Sequence, residues 1–208
     1  MTTRIIICRH GNTFDQGDVI TRVGARTDLP LSRSGQVQAA RLHRFFHPDN
    51  SPYRFERAYC SDLRRTRETG LKILENAHPA ELSERKFLRE IDYGVDENRP
   101  EKDVVSRLGQ QAILEWDKKA IVPNGWQVKP DKIRKDWREF FHEMSKTPGD
   151  VLIVTSNGIA RFCLDAVDHI VCETPPLKLA TAAYGILTSE AGKVVLKGWN
   201  LKAALEDQ

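Results

Sequence analysis

The chain has 208 residues, 40% of them hydrophobic and 29% charged, which is the composition of an ordinary globular domain. Its 32 Lys and Arg residues against 29 Asp and Glu give a net charge of +3, and the basic residues are dispersed along the chain. This pattern argues against a protein that binds nucleic acid or a membrane surface. No apolar run approaches the roughly 20 residues of a membrane span, and the N-terminal apolar run is too short for a secretory signal. We therefore expect a cytoplasmic monomer or homodimer that binds neither nucleic acid nor membranes.

The four cysteines form no C-x-x-C pair, and the histidines are scattered without H-x-x-H or H-E-x-x-H spacing. Cys8, Cys60 and Cys163 stand in apolar surroundings that are typical of buried thiols. We expect no disulfide framework, no bound metal and no cofactor.

The first informative stretch lies at the N-terminus. Ile5 to Cys8 form a short apolar run, typical of a strand buried on both faces, and Arg9, His10 and Gly11 follow it directly. The Arg9 guanidinium is a fork of donors that fits a phosphate, and the His10 imidazole can act as nucleophile or base near neutral pH. Gly11 allows the backbone to approach a ligand closely. A lone histidine after a strand is more often structural, but the three residues together indicate phosphoryl chemistry.

The next segments are a long loop, a helix, a strand and a second helix. Residues 14–31 show no periodicity, and a loop of this length is typical of a functional segment. Helices are predicted over about 34–46 and from Ser61, a good N-cap, to about 76, with a strand over 57–60 between them. Arg65 lies in the first turn of the second helix, where the helix N-terminus favours an anion. Arginines in such a turn usually form a solvated face, which is what we expect for its neighbours Arg64 and Arg67.

The middle of the chain contains two candidate carboxylates and two candidate helices. A short strand is predicted over 84–88, and Glu90 and Asp92 follow it. Helices are predicted over about 102–119 and 130–145, and we expect the aromatic residues of this section to pack into a core.

The last third of the chain begins with its clearest buried strand, 151–155. Ser156-Asn157-Gly158 follows as a tight polar turn and opens a predicted helix to about residue 169, an arrangement that suits an anion. A pair of strands is predicted over 182–188 and 194–199. The alternation of apolar strands with helices predicts an α/β sandwich with a largely parallel sheet.

Three blocks occur in the order typical of one family. They are Arg9-His10-Gly11, the Ser-x-Leu-x-Arg-x-x-x-Thr pattern of Ser61 to Thr69, and the Leu-x-Glu-x-x-x-Gly pattern of Leu88 to Gly94. In these blocks the chain resembles the histidine phosphatase superfamily, the phosphoglycerate mutase-like enzymes. The resemblance implies a three-layer α/β/α sandwich with a mostly parallel central sheet. It also implies one domain over 1–208, with a helical insert or lid at about 100–147 that covers the site and tunes substrate choice.

The resemblance implies a metal-independent phosphohydrolase that acts on a small phosphomonoester through a phosphohistidine. His10 is then the nucleophile, Arg9 and Arg65 clamp the phosphate, and Glu90 protonates the leaving oxygen, with Asp92 as the rival carboxylate. The expected partner is a small phosphorylated substrate or inorganic phosphate. Four further residues are candidates for contacts to that partner: Asn12, Gln16, Arg26 and Asn157.

The chain departs from the family pattern at two places. The family has Ser-His-Gly where this chain has Asn157 in the middle, and a Trp-Glu-Gly turn where this chain has Val95 to Pro100. Asn157 keeps neutral donors but carries no positive charge, and losing a charge-assisted donor costs about 3 kcal/mol by analogy with oxyanion holes. A slower phosphatase, a phosphatase for an unusual substrate and a binding protein without turnover all fit this replacement. The rival functions are therefore a non-catalytic phosphate-binding sensor or scaffold and, less strongly indicated, a phosphoglycerate mutase.

Overall fold

The computed structural model describes residues 2–47, 51–76 and 81–204, which fold around one seven-stranded sheet. Its strand order is β3-β2-β4-β1-β6-β7-β5. The strands, numbered along the chain, are β1 (Thr2–Arg9), β2 (Phe55–Cys60), β3 (Leu82–Glu84), β4 (Gly149–Thr155), β5 (His169–Ile170), β6 (Ala183–Glu190) and β7 (Lys193–Lys202). The helices are α1 (Arg33–Phe46), α2 (Arg64–Ile73), α3 (Glu101–Leu108), α4 (Gln110–Lys119), α5 (Pro130–Ser145) and the short α6 (Asn157–Ala160).

The sheet is mostly parallel, as the sequence predicted. Strand β4 lies parallel to both β1 and β2, whereas β6 runs antiparallel to its neighbours β1 and β7. In the register of β1 and β4, Arg9 lies opposite Thr155. The residues that follow these two strands, His10 and Ser156, therefore leave the sheet at the same edge, which is where parallel α/β sheets place their sites.

Side chains that alternate along β1 enter two separate cores. Ile6 and Cys8 pack with Leu42 and Phe46 of α1 on one face of the sheet. Ile5 and Ile7 lie in the other core, which contains the aromatic side chains of α5 and of residues 100–130. Because helices cover both faces, the predicted three-layer α/β/α sandwich is confirmed.

Several predicted elements have different limits in the structure. The helix expected over 102–119 is broken at Gly109, whose φ of +83° is a conformation that side-chain-bearing residues rarely adopt. In place of the strand expected over 84–88, the structure has β3 at Leu82–Glu84 and a 3₁₀ turn at Lys86–Leu88. The helix expected up to 169 ends at Ala160 and continues as a 3₁₀ segment, Arg161–Ala166. Periodicity located these segments but not the backbone changes inside them.

The start of α2 also differs from the prediction. Ser61 is not its N-cap, because the helix begins at Arg64 after Leu63. The Ser61 hydroxyl instead contacts the Thr66 hydroxyl at 2.7 Å and accepts a hydrogen bond from the Leu63 N–H at 3.3 Å. Arg64 and Arg67 are exposed, as expected, and Arg65 is buried.

No helix of the described segments is long and apolar enough to cross a membrane.

Candidate active site

A cavity of about 480 Å³ opens at the sheet edge where β1 and β4 end. Most of the predicted site residues line it together, although they come from four distant parts of the chain. These residues are Arg9, His10, Asn12, Arg65, Glu90 and Asn157.

His10 is held in one tautomer by the backbone carbonyl of the next residue, Gly11. Its Nδ1 lies 2.7 Å from the carbonyl oxygen of Gly11, an acceptor only, so Nδ1 carries the proton and Nε2 has a free lone pair. Burial lowers the pKa of His10 well below its usual value, and the neighbouring charges of Arg65 and Arg9 lower it further. The neutral ring is therefore the form favoured at pH 7, and its Nε2 lone pair is free to act as a nucleophile or a base in phosphoryl or proton transfer.

Gly11 has a packing role that the sequence did not reveal. A Cβ at this position would lie 2.5 Å from the carbonyl oxygen of Gly35, in the first turn of α1. The missing side chain thus lets the loop after His10 approach α1 closely. The Asn12 N–H, next in the chain, donates to the Gln38 side chain of the same helix at 2.8 Å.

Two arginines, the buried Arg65 and the half-buried Arg9, bring positive charge to the end of the cavity near His10. Arg65 donates through Nη1 to the carbonyl of Thr27 at 2.8 Å and through Nη2 to that of Gly24 at 3.1 Å. Arg9 donates through Nη1 to the carbonyl of Leu179 at 2.9 Å. Burial lowers the pKa of both guanidinium groups, although they stay protonated at pH 7 because an arginine begins so high. Their bonds to neutral carbonyls leave both charges available for an anion.

Asn157 is oriented by a backbone donor. Its Oδ1 accepts a hydrogen bond from the Leu179 N–H at 2.8 Å. Since this donor fixes which end of the amide is oxygen, the Nδ2 group is the end left to donate to a ligand in the cavity.

Glu90 is buried, and its carboxylate is fixed at two points. Oε1 accepts from the Ile91 N–H at 2.9 Å, and Oε2 accepts from the Gly158 N–H at 3.1 Å. A Cβ on Gly158 would lie 2.3 Å from Oε1, so the glycine makes room for the carboxylate. The rival carboxylate, Asp92, instead pairs with Arg26 at 3.1 Å and is not among the cavity residues.

Two predicted contact residues lie apart from the others. Gln16 and Arg26 are exposed, and neither is among the residues that line the cavity. Arg22, from the same loop, does line it, and its guanidinium pairs with Glu101. A role for Gln16 and Arg26 in phosphate binding stays a prediction. An aperiodic loop carries no pattern from which the inward-facing arginine could have been chosen.

Sequence reasoning also missed Glu97, which organises the loop that holds Arg65. Its carboxylate accepts from the Gly24 N–H at 3.1 Å, the Arg26 N–H at 3.1 Å and the Thr27 hydroxyl at 2.6 Å. The carbonyls of Gly24 and Thr27 are the ones that Arg65 binds. The sequence offered one signal for Glu97: it stands three residues after Gly94, in the segment that takes the place of the family's Trp-Glu-Gly turn.

The arrangement is suited to binding a phosphate next to a neutral imidazole and a carboxyl group. Within residues 2–47, 51–76 and 81–204, no group of three His, Cys, Asp or Glu side chains is arranged to hold a metal ion.

Comparison with known proteins agrees with this geometry. The family model of the histidine phosphatase superfamily (branch 1) matches residues 5–202. Fructose-2,6-bisphosphatase TIGAR from Mus musculus is 33% identical over 144 residues, which are 67% of this chain and 51% of the mouse protein. The match thus spans about half the length of that relative.

Solved structures show the same fold at low sequence identity. A phosphoglycerate mutase from Bacillus anthracis str. Sterne superimposes with a TM-score of 0.76 at 20% identity, covering 96% of this chain and 93% of the mutase. An alpha-ribazole phosphatase from Shigella flexneri gives a TM-score of 0.71 at 19% identity, covering 99% of this chain and 100% of that protein.

Proposed function

The chain belongs to the histidine phosphatase superfamily, and we propose that it is a metal-independent phosphohydrolase acting on a small phosphomonoester. One observation carries this proposal: a buried, neutral His10 faces a cavity that it shares with Arg9 and Arg65, neither of which forms an ion pair with a carboxylate among the described residues. A histidine with only a structural role in the core would not require two arginines beside it.

In the first step the Nε2 lone pair of His10 attacks phosphorus. The N–P bond forms as the bond from phosphorus to the leaving oxygen breaks, and Glu90 in its protonated form gives that oxygen its proton. Arg9 and Arg65 bind the non-bridging oxygens, where charge must be stabilised in the transition state. The Nδ2 group of Asn157 adds a neutral donor.

In the second step water attacks the phosphohistidine. Glu90, now a carboxylate, takes a proton from the water as the new O–P bond forms and the N–P bond breaks. The products are inorganic phosphate and the free imidazole of His10. Nδ1 keeps its proton throughout both steps and donates it in a hydrogen bond to the Gly11 carbonyl, so the ring returns to its starting tautomer.

The segment 100–147 acts in this proposal as a lid within a single domain. Its Glu101, Ile113, Trp116 and Asp117 line the cavity. The aromatic core of the same segment is continuous with residues of β1 and β4, which supports one folding unit.

A non-catalytic phosphate-binding protein is the second candidate, favoured by the neutral Asn157 amide. It would use the same arginines without turnover. The likeness to a mutase structure, at 20% identity, bears on the fold and gives no support for transfer to a sugar acid.

The test is hydrolysis of para-nitrophenyl phosphate in the presence of a chelator. The proposal expects turnover by the wild type, loss of it in His10→Ala and retention in His142→Ala, which removes an exposed histidine of α5. Equal background rates in wild type and His10→Ala, together with tight binding of inorganic phosphate, would favour the binding protein.

A further inference from the structure

We propose that Phe14, Ile20 and Val23 form an apolar subsite that receives the leaving group, so that the preferred substrate is a phosphomonoester of an apolar alcohol. The three side chains come from the loop between β1 and α1, and all of them line the cavity that contains His10. This inference rests on the proposed function, because it assigns the part of the cavity that holds the group released from phosphorus.

The three side chains have no place in the cores of the protein. None of them belongs to either hydrophobic core of the described segments. Phe14 and Val23 are half-buried, and Ile20 is 60% exposed. Accessible apolar surface that faces a cavity is stabilised when the carbon surface of a ligand covers it. Packing of the fold does not account for these side chains, whereas contact with a ligand does.

The other large apolar side chains of the cavity are less accessible. Tyr93, Ile113 and Trp116 are 6%, 7% and 1% exposed, and they belong to the core that contains the aromatic side chains of α5. The accessible apolar surface of the cavity therefore comes from the loop between β1 and α1.

Hydrogen bonds anchor this loop near both of its apolar positions. Next to Phe14, the Asp15 carboxylate accepts from the Ser34 N–H at 3.0 Å. The Ile20 carbonyl accepts from the Glu101 N–H at 3.0 Å. The apolar side chains are thus held in place before a ligand binds, which reduces the entropy lost on binding.

The charged groups near the loop are mostly balanced within the protein. Arg22, from the same loop, pairs with Glu101, and Asp117 lies 3.9 Å from Arg161. Lys178 is exposed, lines the cavity and forms no ion pair among the described residues. An anionic leaving group would bind Lys178 instead of the apolar subsite, so the experiment includes such a compound.

The test compares hexyl phosphate with ethyl phosphate, whose leaving groups are similarly basic and differ in apolar length. Each fully buried methylene group is worth about fourfold in binding, so partial burial of the longer chain should raise kcat/KM of the wild type about tenfold. Ile20→Ser and Phe14→Ser should each lower the hexyl-to-ethyl ratio of kcat/KM about threefold or more. Val19→Ser is the matched control, because Val19 is 68% exposed, adjoins Ile20 and is not among the cavity residues.

Two results would overturn the inference directly. One is a hexyl-to-ethyl ratio near one in the wild type, and the other is a ratio that changes equally in Ile20→Ser and Val19→Ser. The phosphate ester of 6-hydroxyhexanoate adds a terminal carboxylate to the same chain. A higher kcat/KM for this ester than for hexyl phosphate, lost in Lys178→Ala, would assign the leaving group to Lys178 and overturn the inference as well.

Calorimetric binding of hexyl and ethyl phosphate to His10→Ala separates the apolar subsite from the proposed function. Tighter binding of hexyl phosphate, without turnover by the wild type, would reject the hydrolase and support the subsite. Turnover of both esters with equal kcat/KM would reject the subsite alone.

Discussion

The side-chain oxygen of Asn157 and the Arg9 guanidinium are both anchored to one residue, Leu179, through its N–H at 2.8 Å and its carbonyl at 2.9 Å respectively. Because the Leu179 N–H is a donor, a side chain at position 157 that contacts it must offer an acceptor atom. A histidine that kept this contact would present an unprotonated ring nitrogen to the donor, so it would be neutral, with its proton on the other nitrogen. On this interpretation the asparagine replaces a neutral donor rather than a positive charge, and the two side chains differ in how far the donor reaches into the cavity.

Substitutions at position 157 test this interpretation. Asn157→His should change kcat/KM by less than about tenfold, because it alters the position of a neutral donor and adds no charge. Asn157→Asp keeps the acceptor for Leu179 but sets a negative charge against the phosphate, so kcat/KM should fall about a hundredfold or more. Steady-state kinetics with para-nitrophenyl phosphate measure both. A large gain in Asn157→His that vanishes as the pH rises through the imidazole pKa would contradict the neutral assignment.

Glu97 is predicted to act on phosphate binding through Arg65. In the wild type the Gly24 N–H and the Thr27 hydroxyl donate to the Glu97 carboxylate. Glu97→Gln replaces one carboxylate oxygen by an amide N–H₂, which cannot accept from them, so the loop carbonyls that bind Arg65 should shift. We expect kcat/KM and inhibition by inorganic phosphate to weaken together by about tenfold. Glu143→Gln removes the same charge from a surface pair with Arg85 and is the control. A loss of stability in Glu97→Gln with unchanged phosphate inhibition would show that its role is only structural.

Gly158 is predicted to be required for the position of Glu90. The Cβ of Gly158→Ala would displace the buried Glu90 carboxylate from its two backbone donors, so stability should fall by about 1–3 kcal/mol. Proton donation should suffer more, and alkyl phosphates, whose leaving oxygen needs the proton, should lose far more activity than aryl phosphates. Ser156→Ala is the control in the same turn. Equal losses for both substrate types would argue that Glu90 is not the proton donor.

The fold and the site were predictable to different extents. Short apolar strands such as Ile5 to Cys8 ended where polar residues began, so the sheet edge could be expected from local pattern. The convergence of Arg9, His10, Arg65, Glu90 and Asn157 was implied by the family resemblance and not by local pattern. Interactions between distant segments left no such pattern.

Glu97 shows why the rest could not be predicted. Its partners lie some 70 residues away, in a loop without periodicity. The break at Gly109 has the same origin, since isolated glycines occur within helices and only the tertiary structure decides which one ends a helix. Likewise Arg22 and Arg26 are alike in sequence, and their different directions follow from the Glu101 and Asp92 partners that the fold provides.

His10 should make the protein less stable in acid. Burial first, and then Arg65 and Arg9, lower its pKa well below the usual 6.5 in the folded state. Below about pH 6.5 the unfolded chain binds a proton at His10 that the folded chain does not, so the free energy of unfolding falls with falling pH, by up to about 1.4 kcal/mol per pH unit. Above that pH both states are neutral and the contribution is constant.

Urea denaturation of wild type and His10→Gln between about pH 5.5 and about pH 7.5 measures this effect. The wild type should lose more stability over the acid part of the range than the variant. Other groups, such as His47, titrate in both proteins and cancel in the comparison. Equal pH dependence in the two proteins would contradict a buried neutral His10.

Whether His10 carries the phosphoryl group is measured by rapid acid-free quenching of the reaction with an isotopically labelled phosphomonoester. We expect label on the peptide that contains His10, formed and lost at rates compatible with turnover, and none in His10→Ala. Turnover with no label on His10, or label that persists in His10→Ala, would contradict this expectation.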